Sequence, residues 1–323
     1  MDNQKYSSVE KINTEKLFDR LLISTEASLV ELSNVLKLDR KNILALISRL
    51  RDMGLDISQK SNNIKLITKI KAIDINLIKT KIINAQINKP VNYYFSTSST
   101  NKLAKEDQKI AIYISEHQSA GKGRQAKQWI TPLAQSIAIS ITHDFNFGLN
   151  KLSGLNIAIG VAIINTVKKY GYTHLGLKWP NDILGQDGKV AGILIEATGN
   201  KNSSRVIIGI GINWQVRQTL LNSIEQNCMN IGIDNCSRTE FIASLIIAVE
   251  EILVEFSQNK LKKISTIWQQ YDALSEQTIN IITGNKIQPA NYIGIDEHGL
   301  LRVKIDQQII TLASGEVSIR PIA

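Results

Sequence analysis

The stretch Leu177–Glu196, LKWPNDILGQDGKVAGILIE, decides how the middle of this chain is folded. An apolar run enters Trp179, and Pro180 ends it because proline has no N–H to give to a strand ladder. Asn181 and Asp182 stand at the break, Gly188 supplies a turn, and after Lys189 the apolar run resumes to Glu196. Strands stopping and restarting around exposed polar residues mark the end of a sheet, where side chains can meet a ligand. Outward from this stretch, KIAIYISEH (109–117), SIAISIT (136–142), HLGLKW (174–179) and RVIIGIGIN (205–213) alternate or stay apolar over strand lengths. Between them, KLSGLNIAIGVAIINTVKKYG (151–171) is long enough for a helix packed on that sheet, closed by Gly171. Two further helices are predicted over Arg238–Phe256 and Lys260–Tyr271. The middle of the chain is therefore a mixed α/β unit. After Ser275, short strands broken by TGNK, DEHG and DQQ predict a small β-barrel.

In the other direction the pattern changes. Leu17, Leu21 and Leu22 recur at helical spacing, STEAS (24–28) makes a polar break, and LVELSNVLKL (29–38) gives a second short helical pattern. Asp39 stands at an N-cap position before RKNILALISRLRDMG, where Ile43, Leu44, Ile47 and Leu50 form one apolar face and Gly54 stops the helix. LDISQKSNNIKLIT (55–68) reads as two strands around KSNN. Three short helices and a hairpin are the plan of a winged helix-turn-helix, whose third helix would offer Arg40, Lys41 and Asn42 to DNA, with Lys60 and Lys65 in reach of phosphate. A helical module for assembly with solvated charges is the other reading. The segment 68–90 is rich in Ile and Lys and predicts a linking helix.

A chain of 323 residues suggests two or three units with cores of their own. The expected organisation is a multidomain α+β chain: a DNA-binding unit at 1–69, a linker at 70–90, a catalytic unit at 91–274 and a β unit at 275–323. No apolar run approaches the ~20 residues that cross a bilayer, and the polar N-terminus is unlike a signal peptide, so the expected place is the cytoplasm, away from membranes. Cys228 and Cys236 stand without a metal-ligand pattern, and the four histidines are scattered, so no metal site is predicted. The net charge of +9 is uneven: residues 1–90 carry 16 Lys and Arg against 10 Asp and Glu. A polyanion would meet this N-terminal part first.

SAGKGRQAKQW (Ser119–Trp129) places Gly121 and Gly123 among Lys122, Arg124 and Lys127. Glycines let a backbone approach a ligand and the cations attract an anion; a basic surface loop is the plainer alternative. Ser99, Thr100 and Asn101 end a coil just before a predicted helix, where capping competes with ligand binding.

KWPND followed by GKVAGILIE resembles the signature of biotin protein ligases, and GKGRQAK resembles their glycine–arginine loop. SSTN before them and GIGIN after them fall in the same order, and the similarity extends to both flanking units, as in the bacterial form that is also a biotin operon repressor. The resemblance implies a class II synthetase-like central sheet and a C-terminal SH3-like barrel. It implies that biotin and ATP, with Mg2+, give biotinyl-5'-adenylate and pyrophosphate, after which biotin passes to a lysine of a biotin carboxyl carrier protein. Two anions must be brought together in the first step, so fixed cations are the chief requirement. Arg124 and Lys189 are implied as the catalytic cations and Asp182 as the group near the acceptor amine. Ser99, Thr100, Asn101, Gln118, Lys122, Gly123, Arg124 and Lys189 are implied for biotin, its apolar chain suiting the strands around Gly192 and Gly211. Gly121, Lys122, Gly123, Arg124, Lys127, Trp129 and Asn213 are implied for ATP, with Trp129 stacked on adenine; for Trp129 a core role is the alternative. An adenylate-bound homodimer on operator DNA is implied as the repressing form.

Three positions depart from that resemblance. Lys122 and Lys127 stand for arginines, and Ala126 for a glycine. Lysine keeps charge without the planar fork, and alanine at a positive-φ position costs about 1 kcal/mol. Weaker retention of the adenylate is the expectation. A lipoate ligase and a biotin sensor without transfer activity are the competing functions.

Overall fold

In the computed structural model, residues 8–321 are described apart from Lys260, Lys262, Asn285 and Glu316. The N-terminal module runs α1 (Ser8–Ile23), β1 (Glu26–Ser28), α2 (Leu29–Leu36), α3 (Arg40–Asp52), β2 (Ile57–Lys60) and β3 (Asn63–Leu66). Asp39 caps α3 as its spacing predicted, its carboxylate accepting from the Asn42 N–H at 2.7 Å. Gly54, at φ +101°, lets the chain leave that helix against Pro132. The polar STEAS segment is more than a break. Glu26–Ser28 pairs with β3 to give a sheet of order β1-β3-β2, and the Ser28 side chain then caps α2. Three residues are too short a run for alternation to reveal a strand.

The linking helix α4 (Ile75–Asn84) leads to β4 (Val91–Thr97), α5 (Thr100–Asp107), β5 (Ile112–Gln118), β6 (Ser136–Phe145) and α6 (Leu155–Lys169). Then come β7 (Gly176–Lys178), β8 (Asp182–Gly185), β9 (Gly188–Gly199), β10 (Ser204–Asn213), α7 (Gln218–Leu221), α8 (Arg238–Asn259) and α9 (Ile264–Gln270). The predicted start of the last helix, at Lys260 and Lys262, lies outside the described residues. Seven strands form one mixed sheet of order β4-β5-β6-β10-β9-β8-β7, with only β4 and β5 parallel. Two of these strands were not read from the sequence: Val91–Thr97, which leads into the coil ended by Ser99, Thr100 and Asn101, and Asp182–Gly185, read as a polar break.

Alternation along the central strands separates a core face from a site face. Ile137, Ile139 and Ile141 on β6, Ile208, Ile210 and Ile212 on β10, and Ile193 on β9 are buried in the main apolar core with α6 and α8. The intervening residues are small: Ala138 and Ser140, Gly209 and Gly211, Gly192. Register sets them in two rows, Ala138–Gly211–Gly192 and Ser140–Gly209, the second bordered by the larger Leu194. A floor of small residues leaves room for something to lie on the sheet.

The linker is fastened to this unit by charge. Arg238 and Glu116, both buried, pair at 2.5 Å; Glu116 accepts from the Ile73 N–H at 2.6 Å, and Arg238 donates to the Lys71 carbonyl at 2.9 Å. Breaking one partner of such a buried pair costs roughly 3–5 kcal/mol. The N-terminal module also docks on the central unit directly, with Leu133 and Phe95 in its apolar core and the Gln135 amide on the Gly54 carbonyl at 2.9 Å.

The C-terminal strands β11 (Thr278–Thr283), β12 (Lys286–Ile295), β13 (Leu301–Ile305), β14 (Gln308–Leu312) and β15 (Ser318–Pro321) make one antiparallel sheet of order β14-β13-β12-β11-β15. Among the described residues no ladder joins β14 to β15, so the predicted barrel is seen as an open sheet. Strand number and spacing are legible in sequence, whereas closure depends on shear and tilt, which are not.

Candidate active site

Ser99, Thr100 and Asn101 stand where β4 gives way to α5, all three buried. Ser99 occupies the N-cap position, yet its side chain makes no capping hydrogen bond. The Thr100 N–H donates to Gln118 Oε1 at 2.8 Å, which fixes the glutamine amide; its Nε2 then donates to Thr131 Oγ1 at 3.0 Å. Ser140 Oγ lies 2.7 Å from Thr100 Oγ1 and 2.6 Å from Asn101 Oδ1. The Asn101 side chain is turned across Gly209, where a Cβ would come within 2.3 Å of its Oδ1, and its Nδ2 donates to Glu196 at 2.9 Å. Its amide is thus engaged with the sheet.

At the other end of the floor lies the glycine and cation loop. It folds back on itself: Trp129 N–H donates to the Gly121 carbonyl at 2.9 Å and Gly123 N–H to the Lys127 carbonyl at 2.8 Å. Between them Gln125 (φ 53°) and Ala126 (φ 57°) are left-handed, so alanine does stand where glycine would relieve strain. The Trp129 indole lies against the two glycines. A Cβ on Gly211 would come within 2.4 Å of it, and one on Gly192 within 3.2 Å. The indole therefore covers the floor that the sequence assigned to an apolar ligand chain, and its N–H has no partner.

Charge gathers beside it. Lys189 Nζ sits 2.7 Å from Asp182 Oδ1 and 5.4 Å from the Trp129 ring, with only 15% and 17% of the two charged side chains exposed. Arg124 donates to Asn181 Oδ1 at 3.0 Å and to the Ser314 carbonyl of the C-terminal unit. Burial pulls the Arg124 guanidinium below its usual range, with Asp182 acting in the opposite direction. Lys178, directly across from Asp182 in the β7–β8 ladder, is pulled down by burial, with Asp182 raising it and Lys189 lowering it further. Asn213 is buried, its Nδ2 donating to the Lys189 and Met229 carbonyls at 3.3 Å each, which leaves its Oδ1 as an acceptor. Lys122 and Lys127 are exposed on the loop. Arg40, Lys41 and Asn42 are far along the chain, exposed at the start of α3, where Arg40 donates to Asn62 in the β2–β3 turn at 2.6 Å.

Sequence reasoning passed over Lys178, Thr131, Ser140 and Glu196, and placed Asn181 at the strand break without giving it a partner. Lys178 and Asn181 flank the Trp–Pro step already noticed. Ser140 carried a signal in SIAISIT, where small polar residues alternate with isoleucines. Ser314 left none, because its contact is made by a segment 190 residues away from Arg124.

The profile described as the biotin/lipoate A/B protein ligase family matches residues 92–213, and that of the biotin protein ligase C-terminal domain matches residues 274–320. Among curated proteins, the bifunctional ligase/repressor BirA of Escherichia coli is 31% identical over 211 residues, covering 64% of this chain and 65% of its own length. The chain thus spans slightly less than two thirds of that relative. The protein of the same name from Bacillus subtilis is 23% identical over 300 residues, covering 90% of this chain and 92% of its own. Among solved structures, biotin protein ligase from Aquifex aeolicus in complex with biotin and ATP superposes with a TM-score of 0.63 at 21% identity, over 72% of this chain and all of that one. At that identity the likeness speaks for the fold, a mixed central sheet with a C-terminal sheet unit.

Proposed function

Since the chain belongs to the biotin/lipoate A/B protein ligase family, we propose that it is an ATP-dependent biotin protein ligase. The observation that carries this is a cationic cluster, with Lys189 paired to Asp182, Arg124 bonded to the neighbouring Asn181 and Lys178 across the β7–β8 ladder from Asp182, at one end of a glycine floor whose other end is the polar group Thr100–Gln118. A neutral ring with N–H and C=O groups fits the polar end, an apolar chain fits the floor, and a carboxylate then reaches the cations.

In this scheme a biotin carboxylate oxygen attacks the α-phosphorus of ATP, the C–O–P linkage forms, and pyrophosphate leaves. Lys189 holds the carboxylate and Arg124 the phosphoryl oxygens, so both anions approach without mutual repulsion. An acceptor lysine amine then attacks the acyl carbon, AMP leaves, and Asp182 is placed to take the amine proton once Lys189 turns to the ligand. Trp129 moves off Gly211 to admit the ligand and closes over the adenine, with Asn213 Oδ1 free to accept from the base. Among the described residues no three acidic, histidine or cysteine side chains cluster, so Mg2+ would be held by the phosphates with at most Asp182.

A regulatory role is proposed on a separate observation: the exposed first turn of α3 and its Arg40 bond to the β2–β3 turn support the winged helix-turn-helix reading, in which α3 would meet an operator. The relatives named ligase/repressor agree with it. The proposed units are 1–69 for DNA, 70–90 as linker, 91–274 for catalysis and 275–323 as an SH3-like unit. The proposed partners are a biotin carboxyl carrier protein and a second copy of the chain in the cytoplasm. The deciding experiment is transfer of labelled biotin to an acceptor domain with MgATP, beside Lys189→Ala and a lipoate control. Biotin-specific labelling lost in the variant supports the ligase; tight biotin binding without labelling points to a sensor, and lipoate labelling to the related ligase.

A further inference from the structure

Arg124, the cation that the proposed chemistry needs at the phosphates, is held by two neutral oxygens that belong to different units. Its Nη1 donates to Asn181 Oδ1 at 3.0 Å and its Nη2 to the Ser314 carbonyl, in the connection from β14 to β15. Asn181 is fixed in its turn: its Nδ2 donates to the Ile193 carbonyl at 2.8 Å, which commits the amide oxygen to Arg124. Ser314 is placed from further away. The C-terminal sheet is seated on the strand that leads to Asn181, for the buried Trp179 donates its indole N–H to the Gly299 carbonyl at 3.0 Å and Tyr292 of β12 donates to Asp272 at 2.6 Å. Asp272 lies beside β7, where the Leu177 N–H donates to the Tyr271 carbonyl at 2.5 Å and the Ala273 N–H to the Leu177 carbonyl at 2.9 Å. Residues 177–181 thus carry one half of the grip on Arg124 and anchor the unit that carries the other half.

Neutral oxygens occupy the donors of the guanidinium without neutralising it, and Asp182, whose charge it feels, is paired with Lys189 at 2.7 Å. A phosphate oxygen makes the same hydrogen bonds with a charge behind them and is the stronger partner. We propose that the C-terminal unit parks Arg124 in the ligand-free chain, the Ser314 carbonyl and Asn181 holding the loop closed until the phosphates of a nucleotide take the guanidinium over. The inference rests on the ligase reading for the nucleotide and adds a resting latch, with Tyr292, Asp272 and Trp179 as the residues that position it. The latch works against nucleotide binding, because only the fraction of loops that have let go is competent.

The test is limited trypsin digestion of the full chain without ligand, following the fragment that ends at Arg124 by mass spectrometry. Trypsin must take the Arg124 side chain, so cleavage there reads the released fraction, whereas cleavage after Arg302 and Lys304 in β13 reads loosening of the C-terminal sheet itself. Tyr292→Phe removes the hydroxyl bonded to Asp272; it is expected to raise cleavage after Arg124 about 10-fold and to leave the β13 sites at the wild-type rate. Asp272→Asn keeps a hydrogen bond to Tyr292 and with it the wild-type cleavage. In adenylate formation at saturating biotin, Tyr292→Phe should lower the apparent KM for MgATP about 5-fold with kcat unchanged. Should Tyr292→Phe not fold, Trp179→Phe, which removes the N–H donated to Gly299, takes its place in both measurements. Unchanged cleavage after Arg124, a parallel rise at the β13 sites, or an unaltered KM overturns the latch. A wild type that forms no adenylate overturns the ligase reading, and the cleavage comparison then decides the latch by itself.

Discussion

The two ends of the candidate pocket are built to opposite plans. Between β4, α5 and β6 the polar groups, most of them buried, are matched to one another, from Thr131 through Gln118, Thr100, Ser140 and Asn101 to the half-buried Glu196. In the Gly121–Trp129 loop two non-glycine residues are left-handed, the lysines are exposed, and Arg124 is held by Asn181 and by a carbonyl of the C-terminal unit. The first end is finished before a ligand arrives; the second must let go of its present contacts to act. In the proposed ligase, shape would be read where the backbone is fixed and charge delivered where it can move.

The difference is broken most severely at Lys189. Lys189→Ala removes the cation and leaves Asp182 largely buried without its partner, so biotin-dependent pyrophosphate release should fall by about 1000-fold or more. Biotin binding at the polar end should weaken far less, because none of its hydrogen bonds includes Lys189. Equal losses in binding and turnover would mean that the two ends do not divide the work. Arg124→Ala comes next, with a fall of about 100-fold in adenylate formation. Its effect is smaller because Lys178 and Lys189 remain, and because the variant also releases the loop from Asn181 and Ser314. Single-turnover measurement separates the chemical step from loop release.

The same contrast governs how much could be read from the sequence. The α3 cap at Asp39, the helix stop at Gly54 and the central strands follow from local patterns, and they appear where predicted. Strand β4 was not assigned from the sequence because VNYYFST runs into the polar stretch of the candidate site. The ordered motifs led to Arg124, Lys189 and Asp182, but not to the partners that aim them. Asn181 and Ser314 meet Arg124 only after folding, and Ser140 becomes informative only once β6 is in register with β10. Local chemistry is legible residue by residue; register and long-range contacts are not.

A gentler test sharpens the comparison at Ala126. With φ at 57°, alanine pays about 1 kcal/mol that glycine would not, so Ala126→Gly should stabilise a loop closed in this conformation. The expected result is an adenylate lifetime longer by about 5-fold in a dissociation assay. An unchanged or shorter lifetime would mean that the bound loop abandons the left-handed turn. No corresponding gain is expected from substitutions at the polar end.

The smallest effect expected is the response to acid, and it touches the finished end. His117 follows Glu116 and precedes Gln118 on β5, with its Nδ1 2.8 Å from Ser96 Oγ. Burial, with a further contribution from the Arg49 cation, lowers its pKa to about 4. His143 is likewise lowered to about 4 by burial and by Lys89, partly offset by Asp144. In the unfolded chain both would titrate near 6.5, so between about pH 6.5 and 4 the unfolded state binds the extra protons. The stabilising contribution of neutral imidazole is therefore complete above pH 6.5 and is lost as the pH falls toward 4. Melting temperature should drop by roughly a few °C between pH 7 and 5, and His117→Gln should flatten part of that slope. Because His117 stays neutral over this range, biotin affinity at the polar end should hardly change above pH 5. If affinity fell in step with the melting temperature, the polar end would owe its order to the histidine rather than to the Thr131–Glu196 chain.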